Sequence, residues 1–210
     1  MNVIIVLHHD SALRIFTPSY RKNMFDKEAL TTRLASRSAK NWINTLCAEL
    51  QQQGFILTDL LDLTLHKEDV IAFHAVWLLD TVVENDLETY VVYIEKFIDY
   101  SQRITNHSCQ RHYARIFMHF TKAMRKSIPI QNKMAHTDLE PMIERCFDWL
   151  IDPKVKVAVK ASASEVLFNL RERYDWIAEE LENQLKFLMQ NGSPAINATG
   201  RRLLSGLQKR

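Results

Sequence analysis

The chain has 210 residues, of which 47% are hydrophobic and 25% are charged, and its formal net charge is +2. This composition is typical of a globular protein with enough chain to bury a substantial core, and it excludes disorder over most of the length. A charge so close to neutral does not predict nucleic-acid binding by itself, although it leaves room for a local basic surface.

Glycine is scarce in this chain. The four glycines are Gly54, Gly192, Gly200 and Gly206, so none lies between residues 55 and 191. A β-rich or α/β chain of that length needs several glycines at turns with positive φ, whereas helices joined by short polar loops do not. The sequence therefore predicts an all-α fold.

The three cysteines, Cys47, Cys109 and Cys146, lie far apart and form no CxxC pair. An odd number of isolated cysteines predicts free thiols in a reducing compartment. The only N-terminal apolar run, residues 3–7, is shorter than the core of a signal peptide and far shorter than a membrane span. We therefore expect a cytoplasmic protein that makes no membrane contact.

Residues 1–23 differ in character from the rest of the chain, and Met24 would serve equally well as a start. We expect residues 1–23 to be a poorly packed N-terminal extension and residues 24–210 to form a single domain. From Asp26 onward, apolar residues recur at the three- and four-residue steps of a helix.

In the first half of the chain, a short helix is followed by a longer one that is expected to end at Gly54, as an αL cap. The next helix begins at residues 67–69 and is expected to bury most of its apolar side chains, including Val70. A turn at residues 84–86 separates it from a helix over residues 87–104.

In the second half, Asn106 is expected to begin a helix that runs to about Lys126 and ends there, because a proline that follows shortly disfavours helix at the residue before it. The polar residues 127–136 then predict the longest loop of the chain. A helix opened by residues 137–138 follows, with Phe147 in its buried stripe.

Residues 152–170 carry the most informative pattern. Asp152 is expected to cap a helix, with Pro153 at the first helical position. Small and apolar residues then recur at helical steps: Val155, Ala158, Val159, Ser162, Ala163, Val166, Leu167 and Leu170. Such a wide face suits a helix that is packed from both sides in a stack. Two further helices, over residues 176–190 and from Ser193 onward, complete the chain.

A repeat is visible along the chain. Four predicted helices each have an alanine in their first half, and these alanines are separated by 36, 39 and 47 residues: Ala39, Ala75, Ala114 and Ala161. A helix-pair period near 40 lies in the range of HEAT and armadillo units. The pattern Asp-Pro-x-Val-Lys-x-x-Val-x-Ala-x-Ala-x-x-x-Leu at residues 152–167 resembles the first helix of a HEAT repeat.

This resemblance implies an all-α, α-α superhelix of the HEAT/armadillo-like type, in which each helix pair buries its apolar surface by stacking on its neighbours. About four helix pairs and a C-terminal cap helix are expected. The expected pairs are residues 38–66, 67–105, 106–151 and 152–191, and the cap is residues 193–210.

The C-terminal third, residues 155–207, is similar to short bacterial HEAT-like proteins that are sometimes labelled adenylosuccinate lyase. That enzyme class carries a loop resembling Ser-Ser-x-Met-Pro-x-Lys-x-Asn, in a much longer chain. The nearest stretch here, residues 127–134, has no paired serines and no Met-Pro. We therefore expect no lyase activity.

Basic side chains recur at helical steps along the helix that begins at Asn106. They are Arg111, His112, Arg115, His119, Lys122 and Lys126. We expect this basic stripe on the solvent side of its helix, where it would face an anion, an acidic protein or a nucleic acid, or would be an ordinary solvated surface. The histidines lack the i, i+4 spacing of a metal-binding helix, and their basic neighbours repel a divalent cation, so no metal site is expected.

A second possibility involves aromatic and acidic residues. Certain HEAT-like proteins are alkylpurine DNA glycosylases, which combine a basic groove with aromatic residues and a carboxylate. The candidates here are Trp42, Trp77, Trp149 and Trp176, with Asp80, Asp148 and Asp175 near three of them. Trp42 and Trp77 lie on apolar helical faces and are expected in the core, and no residue-by-residue match to the glycosylase pattern exists.

No phosphate-binding loop, nucleophile elbow or Cys/His pair with interpretable spacing occurs in the sequence. The sequence thus favours a non-enzymatic helical-repeat binding or scaffold protein, whose second helices or inter-helix loops bind a protein partner. Nucleic-acid binding through the basic stripe is the alternative. No catalytic residue, cofactor or small-molecule substrate is expected.

Overall fold

The computed structural model describes residues 25–36 and 41–208. Within these ranges the chain forms twelve α-helices, one short 3₁₀ turn and no strand, apart from an isolated bridge between Phe25 and Phe55. The prediction of an all-α fold is confirmed. The expected N-terminal extension, residues 1–23, lies outside the described residues, and the single domain over 24–210 stays a prediction.

The internal contacts of the chain divide it into an N-terminal unit that ends at Thr89 and a C-terminal unit that begins at Tyr90. The N-terminal unit contains α1 Lys27–Ala35, α2 Trp42–Gln53, α3 Leu57–Leu63 and α4 Asp69–Asn85, and α5 Leu87–Tyr90 lies at the boundary. The C-terminal unit contains the 3₁₀ turn Val91–Tyr93, α6 Ile94–Gln102, α7 His107–Ala123, α8 Ile128–Ala135, α9 Glu140–Ile151, α10 Val157–Leu170, α11 Asp175–Gln190 and α12 Pro194–Leu207.

In the N-terminal unit, α4 packs against α1, α2 and α3. It does so because most of its side chains are apolar, so that several sides of the helix can be buried. Helix α2 ends at Gly54, whose N–H donates to the carbonyl of Leu50. The φ of Gly54 is 83°, a positive value as expected for this cap. Its ψ of 156° lies outside the αL region, in backbone space that is open almost only to glycine.

In the C-terminal unit, α10 packs against α7 and α9 and also against α11 and α12. The prediction that this helix is packed from both sides is therefore confirmed. Val159, Ala163, Val166 and Leu167 are buried in it, whereas Ala158, which was expected on the same face, is exposed.

The start of α10 differs from the prediction. Asp152 ends α9, and its carboxylate accepts a 2.8 Å hydrogen bond from the backbone N–H of Lys154. This bond satisfies an amide of the turn that contains Pro153, so the helix begins only at Val157. The prediction that Asp152 caps the helix, with Pro153 in its first turn, is wrong.

Residues 128–135 form a helix, α8, where a loop was expected over residues 127–136. Ser127 is its N-cap, and its hydroxyl accepts from the N–H of Ile130. Pro129 lies in the first turn of the helix, where backbone N–H groups make no hydrogen bond within the helix, so its lack of an N–H costs nothing. The proline that was expected to end α7 instead lies in the first turn of the next helix, and α7 ends earlier, at Ala123.

Two smaller predictions are also wrong. The helix expected over residues 87–104 is broken by the 3₁₀ turn, at a run of β-branched and aromatic residues whose helix propensity is low. Val70 lies in the first turn of α4, before its buried face begins at Ile71, and is 56% exposed.

The three cysteines are buried free thiols, as predicted. Burial raises the pKa of the Cys47 thiol and of the Cys146 thiol, so both resist ionisation. In the described part of the chain, no helix has the length and apolar character that crossing a membrane requires.

Candidate functional site

The basic stripe on α7 is only partly on the surface. Arg111 and Lys122 are exposed, and Lys126 is exposed in the turn after the helix. Arg115 and His119 are half-buried. His112 is buried at 6% exposure, because one residue of helix turns its side chain by about 100° from that of Arg111. The prediction that all six residues lie on the solvent side is wrong for His112.

His112, Arg115 and His119 also make contacts within the protein, so they are not free cations. The exposed positive charge in this region therefore lies on Arg111, Lys122 and Lys126. Arg125, which the stripe did not include, is exposed beside them and adds a fourth positive charge.

The four tryptophans occupy different surroundings. Trp149 is buried, and its ring stacks on Phe117 with ring centroids 6.4 Å apart. Trp42 and Trp77 are half-buried within the N-terminal unit, rather than fully buried as expected. Trp176 is 43% exposed at the start of α11. Of the neighbouring aspartates, Asp80 is buried, whereas Asp148 and Asp175 are exposed.

Trp176 belongs to an exposed apolar surface that we call the aromatic face. It consists of Phe147, Ile151, Trp176 and Phe187, on helices α9 and α11 of the C-terminal unit. Ile151 is 58% exposed and Phe187 is 66% exposed. The rings of Phe147 and Trp176 touch across the two helices, with centroids 5.5 Å apart and planes inclined by 33°.

Helical geometry places these residues on one side of each helix. Trp176 and Phe187 are eleven residues apart, which is close to three full turns, and Phe147 and Ile151 are four apart. The buried side chains of α11, Ile177, Leu181 and Leu185, lie on the side away from Trp176. The buried stripe of α9 lies next to Phe147, which is four residues from Ile143 and three from Leu150. Both helices thus bury one apolar stripe and keep large apolar side chains outside it.

This surface was not predicted from the sequence. Phe147 was expected in the buried stripe but is half-buried, and Trp176 was considered as the beginning of a helix and as a glycosylase-type aromatic, not as part of an apolar surface. A signal was present, because Trp176 and Phe187 do not fall on the i, i+4 steps of the buried residues Ile177, Leu181 and Leu185.

The helices that carry the aromatic face are rich in carboxylates. Helices α9 and α11 carry seven acidic side chains and two basic ones. The acidic residues are Glu140, Glu144, Asp148, Asp175, Glu179, Glu180 and Glu182. Both basic residues are engaged: Arg145 donates to the carbonyl of Ile104 at 2.7 Å, and Lys186 pairs with Glu182 at 2.6 Å. Glu144 and Glu179, each three residues from Phe147 or Trp176, share the side of the helix that carries the ring.

Charge is segregated between the two kinds of helix in this unit. The first helices of the last two predicted pairs, α7 and α10, carry four lysine or arginine side chains and one acidic side chain. The second helices, α9 and α11, have the opposite balance described above. The single acidic residue on α10, Glu165, forms an ion pair with Arg202 of α12.

A family model described as a HEAT repeat domain matches residues 30–207. No curated protein matches the chain, and no solved structure matches it. The similarity of residues 155–207 to proteins labelled adenylosuccinate lyase is accordingly supported by no named relative.

Proposed function

Because the chain belongs to the HEAT repeat domain family, we propose that it is a non-enzymatic helical-repeat scaffold that binds a partner protein. The HEAT-like fold class predicted from the sequence is confirmed by the same match. The observation that carries the proposal is the aromatic face on the second helices α9 and α11, the helices that the sequence analysis expected to bind a partner.

Large apolar side chains exposed together on a soluble domain indicate an interaction surface, because their hydration is unfavourable unless a partner covers them. Tryptophan and phenylalanine are enriched at protein interfaces, where single aromatic side chains supply much of the binding free energy. Trp176 has the character of such an anchor, since its side chain is 43% exposed and its ring contacts that of Phe147.

The absence of enzymatic activity is part of the proposal. It is supported by the roles that the reactive side chains already have. The three thiols are buried, and His112 is buried with contacts in the protein. The proposal includes no cofactor, no metal ion and no small-molecule substrate.

The test is quantitative affinity capture from an extract of the source cells at low salt, with the full chain as bait. We expect one or more proteins whose recovery falls about tenfold on the double substitution Trp176→Ser and Phe187→Ser, as loss of an interface anchor requires. The matched control is Arg111→Ala with Lys122→Ala, which should leave recovery unchanged. If no protein depends on the aromatic pair, the proposal is wrong.

A second candidate function is nucleic-acid binding, including base-excision chemistry of the glycosylase type. The observation in its favour is the group of exposed basic residues at the end of α7, Lys122, Arg125 and Lys126, together with Arg111. It predicts binding to duplex DNA that weakens steeply with salt. Replacing Arg111, Lys122 and Lys126 together by Ala should abolish that binding, and binding that ignores salt would exclude this function.

A further inference from the structure

We infer that the aromatic face binds a cationic segment of the partner protein, with an arginine or lysine side chain of that segment placed over the ring of Trp176. This inference rests on the proposed function, because it specifies the chemistry of the partner at the same surface. Three observations carry it: the free carboxylates around the face, the uncovered aromatic ring, and the way in which the protein places its own arginines.

The charge around the face is negative and available. Glu140, Glu144, Asp175 and Glu179 are exposed, and none of them forms an ion pair with another residue in the described part of the chain. Glu144 lies three residues from Phe147 and Glu179 three residues from Trp176, so these two carboxylates share the side of the helix that carries each ring. A basic segment would gain from this field both in the rate of encounter and in the choice of partner, whereas an acidic segment would be repelled.

The aromatic rings suit a cation. The quadrupole of an indole ring attracts a guanidinium or ammonium group that lies over its face, and tryptophan is the strongest such acceptor. The protein uses this contact repeatedly within its own units. Arg145 lies over Trp149 at 5.4 Å and Arg171 over Phe168 at 4.3 Å, and further pairs are Arg33 with Phe25, Arg103 with Tyr100 and Arg173 with Tyr174.

No cation of the described chain lies over Trp176 or Phe187. The nearest basic residues in sequence on these helices are held elsewhere, since Arg145 donates to Ile104 and Lys186 pairs with Glu182. A partly exposed ring that has no internal cation and lies on a helix with exposed, unpaired carboxylates is complementary to a cationic side chain from another molecule.

Other occupants fit less well. A nucleic acid would place its phosphates against Glu144 and Glu179, which is repulsive. A second copy of the chain in a two-fold symmetric contact would bring two acidic faces together, because such a contact uses the same surface on both subunits. The proposal therefore commits to a basic peptide segment with apolar side chains that can cover Ile151 and Phe187.

The experiment uses the full chain and a series of fluorescent peptides that have equal length and equal apolar content and whose net charge is varied from acidic to basic. Binding is measured by fluorescence anisotropy. We expect affinity to rise with positive charge and to fall with added salt, since exposed charges are screened within about 8 Å at physiological ionic strength. Arginine-containing peptides should bind better than lysine-containing ones, because the guanidinium plane stacks on aromatic rings.

Two variants locate the binding. Trp176→Ala should weaken binding of the best basic peptide about tenfold or more, as expected for an anchor residue. Glu144→Gln with Glu179→Gln should weaken it and reduce its salt dependence. The matched control, Glu28→Gln with Glu68→Gln, removes two exposed carboxylates from the N-terminal unit and should change nothing.

Several results would overturn the inference. The inference is wrong if affinity does not depend on peptide charge, if acidic peptides bind better than basic ones, or if Trp176→Ala leaves binding unchanged. It is also wrong if duplex DNA or a second copy of the chain binds and that binding depends on Trp176. If affinity capture finds a partner that depends on Trp176 while basic peptides fail to bind, the inference is wrong and the proposed function stands. If capture finds no such partner, the proposed function itself is wrong.

Discussion

Lys160 shows how a single residue can depart from a correct helical pattern. It lies within the α10 stretch that was expected to be small and apolar, and it is buried at 7% exposure. Its ammonium group donates to the carbonyl of Leu150 at 2.7 Å, near the end of α9. Burial lowers the pKa of Lys160, because it disfavours the charged form, and the carboxylate of Asp152 partly opposes this. The side chain thereby ties α10 to the last turn of α9.

We predict that Lys160→Ala destabilises the protein by about 1–3 kcal/mol, because it leaves the buried Leu150 carbonyl without its donor. The free energy of unfolding would be measured by urea denaturation of the full chain. Lys154→Ala is the control, since Lys154 is exposed in the turn before α10, and it should change the value by less than about 0.5 kcal/mol. Equal effects of the two substitutions would show that the Lys160 contact does not stabilise the fold.

At the scale of elements, α8 shows that a predicted stop signal can be a start signal. Helix α7 ends at Ala123, before the predicted end at about Lys126, and Ile128, the residue before Pro129, is already helical. Ser127 and Pro129 together have the order of an N-cap and a first helical turn. The helix is retained because Ile130 and Met134, four residues apart, are both buried. The carbonyl of Ala135, at its end, accepts a 2.9 Å hydrogen bond from Arg173, which leads into α11.

We predict that Ser127→Ala lowers stability by about 1 kcal/mol through loss of the cap of α8. In a chain of this size that loss lowers the thermal midpoint by about 2–4 °C. Ser205→Ala is the matched control, because Ser205 is exposed inside α12 and caps no helix, so alanine there should be neutral or slightly stabilising. A midpoint unchanged by Ser127→Ala would mean that tertiary burial alone maintains α8.

At the scale of the whole molecule, folding places charges that are distant in sequence side by side. Glu95 at the start of α6 pairs with Lys133 of α8 and accepts from the hydroxyl of Thr137. Burial alone would raise the pKa of Glu95. The hydrogen bond and positive charge of Lys133 and the hydrogen bond from Thr137 outweigh burial and together lower the pKa below its usual value. The folded protein therefore binds this proton less readily than the unfolded chain does.

This shift has a defined sign in the dependence of stability on pH. A carboxylate whose pKa is lowered by folding contributes stability that is fully present above the unfolded pKa, about 4.3 for glutamate, and is lost as pH falls through the folded pKa. We predict that Glu95→Gln lowers stability at neutral pH and that its difference from the wild type shrinks as the pH falls below that value. Asp99→Asn, an exposed carboxylate on the same helix, is the control. A difference that does not change with pH would contradict the prediction.

Local periodicity predicted most helices and many buried residues, since an inward apolar stripe repeats every three to four residues. Ser193 also caps α12 as its position indicated, with its hydroxyl accepting from Ile196. The errors lie where a side chain has two local uses. Asp152 can cap a helix or bond the turn amide of Lys154, and the sequence pattern is the same in both cases. The structure adopts the second, and α10 begins only at Val157.

The candidate surface was less predictable than the fold. The all-α class, most of the helices, the free thiols and the HEAT-like class were determined by the sequence alone, because helical spacing and the scarcity of glycine act locally. Which outward residues a neighbour covers is not local. His112 is buried and Trp176 is open, although each follows an exposed charged residue and precedes a core residue. Only the tertiary structure decided this, because spacing along one helix shows which side chains leave the buried stripe but not whether a neighbouring helix covers them.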